Sequence, residues 1–255
     1  MTYARIELDG EPPTADRIAA AALVNYGHYS TMQIRGRAVR GLDLHLGRLD
    51  AATRELFDTE LDPERVRDLL RHALGDVPDA TGRITVVDGS GGAGAAPSVI
   101  VALTEPAEVL DRPARLRSVR YQRPFPYLKH AGSFGQIYHG RRAERAGYDD
   151  ALLVDDAGVI AETAVANIAF VDGDEVVWPD APALAGITMQ LLEPRLPSRR
   201  RAVRLSDVTS FDGAFITNSR GVTPVGQVDD VRVPVDDRVV SRVVEAYAAV
   251  PWDPI

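Results

Sequence analysis

Short apolar segments separated by turn residues occupy residues 151–179. ALLVD is followed by the turn sequence DDAG, and VIAETAVANIAFV is followed by Asp172-Gly173 and then by EVVWP. An Asp-Gly pair between two apolar, β-branched runs is a strong signal for a tight hairpin. The pattern therefore predicts short antiparallel strands in the second half of the chain, with one continuous strand over 159–171.

Helical periodicity predicts two helices in the first half of the chain. In DLHLGRLDAATRELF, which starts at Asp43, the apolar residues fall on one helical face, and Asp43 is placed to cap the first turn. In the next helix Asp62 is the predicted cap and Pro63 the first helical residue. Further helices are predicted up to Gly147, in MQLLEPRL and in DDRVVSRVVEAYAAV. This mixture of helices and antiparallel strands predicts an α+β fold.

A glycine-rich segment, GSGGAGAAP, joins two strand candidates, RITVVD and SVIVAL. Gly89, Gly91 and Gly94 fit the G-x-G-x-x-G pattern of dinucleotide-binding proteins. That mechanism needs a helix directly after the glycines, whereas Pro97 and a β-branched run follow here. We therefore interpret the segment as a hairpin loop.

The chain of 255 residues is long enough for one large domain or two modest ones. An arginine- and proline-rich stretch from Leu110 to Phe125 indicates a crossing between two lobes. We predict a smaller α/β lobe over residues 1–120 and a larger lobe over residues 121–255.

Charge and composition exclude several classes of function. A formal net charge of -8 argues against nucleic-acid binding, which depends on clustered positive charge. The absence of cysteine excludes disulfides and thiolate chemistry, and the five histidines lack metal-ligand spacing, so no metal site is predicted. No run is long enough to span a membrane and no signal-peptide layout is present, so we expect a cytoplasmic protein.

Lys129, in PYLKHAG, is the single lysine among 29 lysine and arginine residues. Arginine serves in most surface roles of lysine, but it stays protonated and cannot act as a nucleophilic amine. Lys129 is therefore either a surface residue or an amine that chemistry requires.

An amine that forms a Schiff base with pyridoxal phosphate needs a carboxylate for the ring nitrogen and a cradle for the phosphate. Gly186-Ile187-Thr188 precedes a predicted helix, and backbone N–H groups at such a position bind phosphate well. Thr217-Asn218-Ser219 offers further donors, and Arg48 offers a charged fork.

Five segments in order along the chain resemble the class IV pyridoxal-phosphate aminotransferases, a family that includes branched-chain and D-amino-acid aminotransferases and aminodeoxychorismate lyase. They are HLGRL at 45–49, YLKH around Lys129, AGYDDALLVDDAGVIAETAVANIAFV at 146–171, LAGIT at 184–188 and FITNSRGVTPV at 215–225. The resemblance implies a two-lobed fold with the cofactor between the lobes, the larger lobe carrying Lys129. It also implies a homodimer.

The resemblance assigns a role to each matching residue. Lys129 matches the lysine that forms the internal aldimine and later carries the proton, and Glu162 matches the carboxylate on the pyridine nitrogen. Phosphate contacts are implied for the residues Arg48, Ile187, Thr188, Thr217, Asn218 and Ser219. Asn167 matches an asparagine that supports the strand after the glutamate.

The match is weakest where the family recognises its substrates. Phe134 stands where branched-chain enzymes have a tyrosine that contacts the cofactor hydroxyl, and Asp88 replaces a basic residue at the end of a strand. The substrate residues predicted here are Tyr26, His28, Tyr29 and Gln33.

The expected activity is transfer of an amino group between an amino acid or related amine and a 2-oxo acid. A first alternative is 4-amino-4-deoxychorismate lyase activity, which eliminates pyruvate through the same intermediate and gives 4-aminobenzoate. A second alternative is a family member that no longer uses pyridoxal phosphate.

Overall fold

The computed structural model describes residues 3–88 and 96–255, which divide into two compact units. Unit 1 comprises 1–107, 128–132 and 251–255, and unit 2 comprises 108–127 and 133–250. The division differs from the predicted lobes, since Lys129 lies in unit 1. The cause is backbone pairing, because the N–H of Tyr29 donates to the carbonyl of Lys129 and the N–H of Ala131 donates to that of Gly27.

Unit 1 is an antiparallel sheet with helices. Its elements are β1 (Arg5–Leu8), α1 (Ala15–Val24), β2 (Gly27–Arg35), β3 (Ala38–Val39), α2 (Leu42–Phe57), α3 (Pro63–Leu74), β4 (Ala80–Val87), β5 (Ser98–Thr104) and β15 (Asp253–Pro254). The strands lie in the order β1-β5-β4-β2-β3-β15. The predicted strands on either side of the glycine-rich segment are confirmed as β4 and β5, which pair antiparallel. The predicted loop at 89–95 lies outside the described residues.

The core of unit 1 follows from the two-residue repeat of its strands. On β2, Met32 and Ile34 are fully buried against the helices, whereas Tyr29, Thr31 and Gln33 alternate with them on the other face and stay half-buried. Leu49 of α2 and Leu70 of α3 join the same core. Each such side chain stabilises the fold by about 1.5–3 kcal/mol through burial of apolar surface.

The two predicted helix caps in unit 1 have different outcomes. Asp62 is confirmed as the cap of α3, because its side chain accepts a hydrogen bond from the N–H of Glu64. The prediction for Asp43 is wrong. Helix α2 begins at Leu42 after a left-handed Gly41, and Asp253 Oδ2 accepts from the N–H of Leu42 at 3.0 Å. A carboxylate distant in sequence therefore replaces the local cap.

Unit 2 is built around a longer, mixed sheet. Its elements are β6 (Ala114–Arg120), α4 (Phe134–Arg145), β7 (Asp150–Val154), β8 (Ile160–Thr163), β9 (Asn167–Asp172), β10 (Glu175–Pro179), α5 (Ile187–Leu192), β11 (Ser198–Arg201), β12 (Gly213–Asn218), β13 (Gly221–Val228), β14 (Val231–Arg232) and α6 (Asp237–Ala248), with short 3-10 helices at Glu193–Arg195 and Leu205–Ser210. The strand order is β11-β10-β9-β12-β13-β6-β7-β8, with β14 on β13. The pairs β10–β11, β13–β6 and β6–β7 are parallel.

The predicted hairpin and the predicted continuous strand of unit 2 differ in outcome. Strands β9 and β10 confirm the hairpin, but its turn residues are Gly173 and Asp174, one position later than the predicted Asp172-Gly173. Gly173 has φ +60°. The single strand over 159–171 is wrong, because the chain breaks between β8 and β9. The Thr163 hydroxyl accepts from the N–H of Ala166, and the N–H of Thr163 donates to the Ala166 carbonyl. This local turn separates the two strands.

Helices α5 and α6 pack on one face of the unit 2 sheet. Trp178 is fully buried there and meets Phe215 edge to face, with ring centroids 5.7 Å apart. A second apolar cluster, which includes Leu152, Ile160 and Phe170, forms a separate core. Within residues 3–88 and 96–255, no helix has the length and apolar character required to cross a membrane.

Candidate active site

Lys129 is held against the start of β2 in unit 1. The backbone bonds to Tyr29 and Gly27 flank it, and a bridge pairs His28 with His130. The side chain is half-buried, and its Nζ lies 4.9 Å from the centroid of the Tyr29 ring. The lysine therefore has a fixed backbone and an aromatic neighbour, which an ordinary surface lysine lacks.

The Tyr29 ring carries a second cation. The guanidinium carbon of Arg83 lies 3.6 Å from the same ring centroid. Both cations therefore contact one aromatic ring, so the Arg83 guanidinium and Lys129 Nζ lie close together. Arg83 is in register with Thr31 across β2 and β4, which places it on the same sheet face as Tyr29.

His45 links Lys129 with Arg48 electrostatically. Both His45 and Arg48 lie on α2, three residues apart and so on neighbouring positions of one face. Burial, and then the positive charges of Arg48 and Lys129, lower the pKa of His45 to about 3. Its Nδ1 lies 2.7 Å from the Ser30 hydroxyl. The neutral His45 imidazole is therefore close enough to Arg48 and Lys129, the two predicted cofactor residues of unit 1, for their charges to act on it.

His28 lies on the opposite face of β2 from Tyr29. Its Nε2 lies 3.0 Å from the Thr53 hydroxyl, and that hydroxyl donates to the Leu49 carbonyl. His28 Nε2 must then be the donor, so this nitrogen carries the hydrogen. Burial lowers the pKa of His28 to about 4. Because neighbouring residues of a strand point to opposite faces, His28 and Tyr29 do not share one face of the sheet.

The other two predicted substrate residues have contacts within unit 1. The Tyr26 hydroxyl donates to the Leu56 carbonyl at 3.0 Å, and its ring meets Phe57 edge to face. The Gln33 amide donates to the Thr81 hydroxyl, and its oxygen accepts from the N–H of Ala107. Tyr26 is half exposed. Gln33 links β2 to β4 through Thr81 and to the segment after β5 through Ala107.

Glu162 lies on β8 in unit 2 and is buried. Its Oε2 accepts a hydrogen bond from the N–H of Leu184 at 3.3 Å. Its Oε1 lies 3.6 Å from a terminal nitrogen of Arg123, and the two side chains are only 6% and 7% exposed. Oε2 is thus hydrogen-bonded by Leu184, whereas Oε1 faces the Arg123 charge at ion-pair distance and not at hydrogen-bond distance.

The start of α5 depends on a glycine. A Cβ on Gly186 would lie 1.9 Å from Asn167 Oδ1, so only glycine fits. The amide of Asn167 donates to the Leu184 carbonyl at 2.7 Å. Asn167 therefore supports the segment that leads into α5, and Leu184 joins this segment to Glu162.

The predicted phosphate contacts of unit 2 meet at the start of α5 and the end of β12. The Thr188 hydroxyl donates to the Asn218 carbonyl at 2.7 Å, and Asn218 Oδ1 accepts from the N–H of Arg220. Thr217 is 1% exposed, and its hydroxyl has no hydrogen-bond partner among the described residues. Ser219 is half-buried beside it. Burying a hydroxyl without a partner is unfavourable, so this donor, with the N–H groups of Ile187 and Thr188, fits a bound phosphate.

Phe134 is 79% exposed at the start of α4 and stacks on Tyr138. It brings no hydroxyl to the position at which related enzymes have one.

Among the residues that the structure describes, no group of three or more His, Asp or Glu side chains is arranged to hold a metal ion.

Two residues near these groups were absent from the sequence-based prediction. Arg83 is detectable once the register of β2 and β4 is known, because it then shares a face with Tyr29. Arg123 follows β6 by three residues and gave no periodic signal. Its contact with Glu162 depends on the folding of unit 2.

Sequence comparison finds a matching family model and similar proteins. The model of the family described as "Amino-transferase class IV" matches residues 27–228. A probable branched-chain-amino-acid aminotransferase from Rickettsia felis is 35% identical over 85 residues, which are 31% of this chain and 29% of the relative. Its counterpart from Rickettsia conorii is 30% identical over 122 residues, 43% of this chain and 41% of the relative. The matched regions thus span less than half of these relatives.

Solved structures share the fold over nearly the whole chain. A hypothetical aminotransferase from Mycobacterium tuberculosis, in its PLP-bound form, has a TM-score of 0.82 and 20% identity, covering 97% of this chain and 98% of the other. A putative 4-amino-4-deoxychorismate lyase from Legionella pneumophila has a TM-score of 0.82 and 19% identity, covering 94% and 96%. The predicted α+β class IV fold is confirmed. With the family match over residues 27–228, the chain belongs to the class IV aminotransferase family.

Proposed function

We propose that the protein is a pyridoxal-phosphate-dependent aminotransferase that moves an amino group between an amino acid or related amine and a 2-oxo acid. The observation that carries the proposal is the placement of the single lysine. Lys129 is fixed beside β2, and its charge acts with that of Arg48 on the buried His45. Nearby positive charge favours the neutral amine, the form of lysine that reacts with a carbonyl.

We assign the cofactor contacts from the donors of each unit taken separately. Glu162 offers a carboxylate to the ring nitrogen. Arg48 and the N–H groups of Ile187 and Thr188 bind the phosphate, with Thr217, Asn218 and Ser219 completing the set. The support is the buried carboxylate on β8 and the buried Thr217 hydroxyl, which lacks a partner among the described residues.

When bound, pyridoxal phosphate supplies an aldehyde that reacts with amines and a ring that takes up the electrons of a carbanion. The chain's own residues govern the protons. Lys129 binds and releases a proton at Nζ, and its fixed backbone limits where that proton is delivered. Glu162 keeps a negative charge beside the ring nitrogen, which favours the protonated ring.

We propose that Arg83 binds a carboxylate of the substrate. Arg83 is a half-buried guanidinium on the same ring as Lys129, and arginine binds carboxylates through two parallel hydrogen bonds. The M. tuberculosis neighbour was solved with α-ketoglutarate, and a branched-chain aminotransferase from Thermoproteus uzoniensis was solved with norvaline. Both are small acids of the class proposed here.

We also propose a homodimer located in the cytoplasm. Phe134, Ile137 and Tyr138 expose apolar surface on α4, as expected of a face that a second copy covers. The absence of cysteine is compatible with a reducing compartment. Sedimentation of the purified protein tests the dimer, and a single monomer boundary at micromolar concentration would contradict it.

The first experiment incubates the protein with pyridoxal phosphate, reduces it with borohydride and maps the labelled peptide. We expect the label on Lys129 and none in Lys129→Arg, which keeps the charge but lacks a reactive amine. A wild-type protein that takes up no label would overturn the proposal and favour a family member without cofactor chemistry.

The second experiment separates the two enzyme activities. Amino donors and 2-oxo acids are screened in parallel with 4-amino-4-deoxychorismate. Transfer to a 2-oxo acid supports the aminotransferase. Release of pyruvate from aminodeoxychorismate without transfer would show the lyase, which depends on Lys129 in the same way.

A further inference from the structure

Arg123 and Glu162 form an ion pair inside unit 2. The closest nitrogen and oxygen are 3.6 Å apart, and neither side chain is more than 7% exposed. Arg123 precedes the segment that carries Lys129, whereas Glu162 lies on β8. The pair therefore joins two segments that are distant in sequence.

An ion pair of this kind is a poor device for stability. Removing two charges from water costs several kcal/mol. A protein in which apolar residues of similar size replace such a pair is often as stable as the original or more stable. The two carboxylate oxygens also differ, because Oε2 accepts a hydrogen bond from Leu184 whereas Oε1 faces the Arg123 charge at ion-pair distance, beyond hydrogen-bond distance. Stabilisation of the fold therefore does not explain the buried pair, whereas an effect of the Arg123 charge on the Glu162 carboxylate does.

We infer that Arg123 is a positioning residue that fixes Glu162 and drives a proton shared by Glu162 and the cofactor ring onto the ring nitrogen. The inference rests on the proposed function, since it needs a cofactor nitrogen facing Glu162. Arginine stays protonated, so its charge beside Oε1 is permanent. That charge repels a proton on the adjacent carboxyl more strongly than a proton on a more distant atom, because Coulomb energy falls with distance. The ring nitrogen is thus the preferred site.

The experiment measures the nitrogen directly. The protein is loaded with pyridoxal phosphate labelled with ¹⁵N in the ring, and the ¹⁵N resonance is recorded for wild type, Arg123→Met, Arg123→Lys and Glu162→Gln. Arg120→Met is the matched control, because Arg120 lies on β6 in the same arginine-rich stretch and is exposed. No catalytic turnover is needed for this measurement.

We expect the protonated-nitrogen resonance in wild type, Arg120→Met and Arg123→Lys. In Arg123→Met and Glu162→Gln the resonance shifts to that of the unprotonated ring. If Arg123→Met fails to fold, Arg123→Gln takes its place, because it keeps a polar group while removing the charge. The same shift is expected there.

Two results would overturn the inference, and they differ in meaning. A protonated-nitrogen resonance in Arg123→Met or its substitute Arg123→Gln, with cofactor bound to Lys129, shows that Arg123 is only structural. That result leaves the proposed function intact. Failure of the wild-type protein to bind the cofactor removes the proposed function and the inference together.

Discussion

At the scale of single residues, two neighbouring threonines show how the structure separates bonded hydroxyls from available ones. Thr188 donates to the Asn218 carbonyl, so its hydrogen is already used. Thr217 is more deeply buried, yet its hydroxyl has no partner within residues 3–88 and 96–255. A buried hydroxyl without a partner costs about 1–3 kcal/mol. Such a cost is recovered when a ligand oxygen accepts the hydrogen.

The substitution Thr217→Val tests this directly. Valine has nearly the same shape, so the cofactor-free protein should be as stable as wild type or more stable by about 1 kcal/mol. Affinity for pyridoxal phosphate should fall by about tenfold or more, because a hydrogen bond to a charged group is worth about 1.5–3 kcal/mol. Thermal unfolding without cofactor and a cofactor titration give the two numbers.

Thr163→Val is the matched control for Thr217→Val. The Thr163 hydroxyl accepts from the N–H of Ala166 and donates to its carbonyl. Its loss should destabilise the cofactor-free protein by about 1 kcal/mol. An unchanged cofactor affinity in Thr217→Val would contradict the assignment of Thr217 to the phosphate.

At the scale of elements, the start of α5 depends on the close contact between Gly186 and Asn167. Any side chain at Gly186 would have to displace Asn167, which would then lose its bond to the Leu184 carbonyl. Leu184 in turn donates to Glu162. The entry to α5 and the carboxylate on β8 are therefore mechanically connected.

Gly186→Ala should destabilise the protein by about 1–3 kcal/mol through overpacking. In the double variant Gly186→Ala with Asn167→Ala, the two effects should be far from additive, because the clashing group is gone. Gly47→Ala is the control, since nothing lies within 4 Å of the added carbon and alanine favours the helix. Urea unfolding is measured for wild type, Gly186→Ala, Asn167→Ala, the double variant and Gly47→Ala. Additive losses would show that the clash is relieved in another way.

Local sequence signals predicted elements well and long-range contacts poorly. Helix α3 and the hairpin of β9 and β10 follow from caps, turns and periodicity, which are properties of neighbouring residues. The wrong cap for α2 has a different origin, because Asp253 reaches Leu42 only through the fold. The same holds for Arg123 at Glu162. The family resemblance supplied the predicted residues, and the alternation of β2 then placed His28 and Tyr29 on different faces.

At the scale of the whole molecule, buried histidines make stability depend on pH. Burial lowers the pKa of His28 to about 4, and burial with nearby positive charge lowers that of His45 to about 3. In the unfolded chain both have a pKa near 6.5. Between about pH 4 and pH 6.5 the unfolded chain therefore binds more protons, so stability falls as the pH falls. Asp150 opposes this trend, because burial raises its pKa to about 6 and the folded protein keeps its proton there.

Lowering the pH from 7 to 5 should reduce the free energy of unfolding by about 2 kcal/mol for each of the two histidines. Asp150 should offset about 1 kcal/mol of that loss. Urea unfolding at both pH values measures the change. His28→Gln and His45→Gln should each reduce the dependence, and Asp150→Asn should increase it. Equal pH dependence in wild type and both histidine variants would contradict the buried neutral imidazoles.

The contact between Asp253 and Leu42 also bears on the order of events during translation. The residue that caps α2 is synthesised 211 positions after the helix begins, and β15 joins the edge of the unit 1 sheet equally late. Domains made first usually fold first. Here unit 1 starts first but is completed only after nearly all of unit 2 has left the ribosome. For most of its synthesis the nascent chain therefore carries β3 as an edge strand without its partner β15, and unpaired edge strands are sites at which other chains bind.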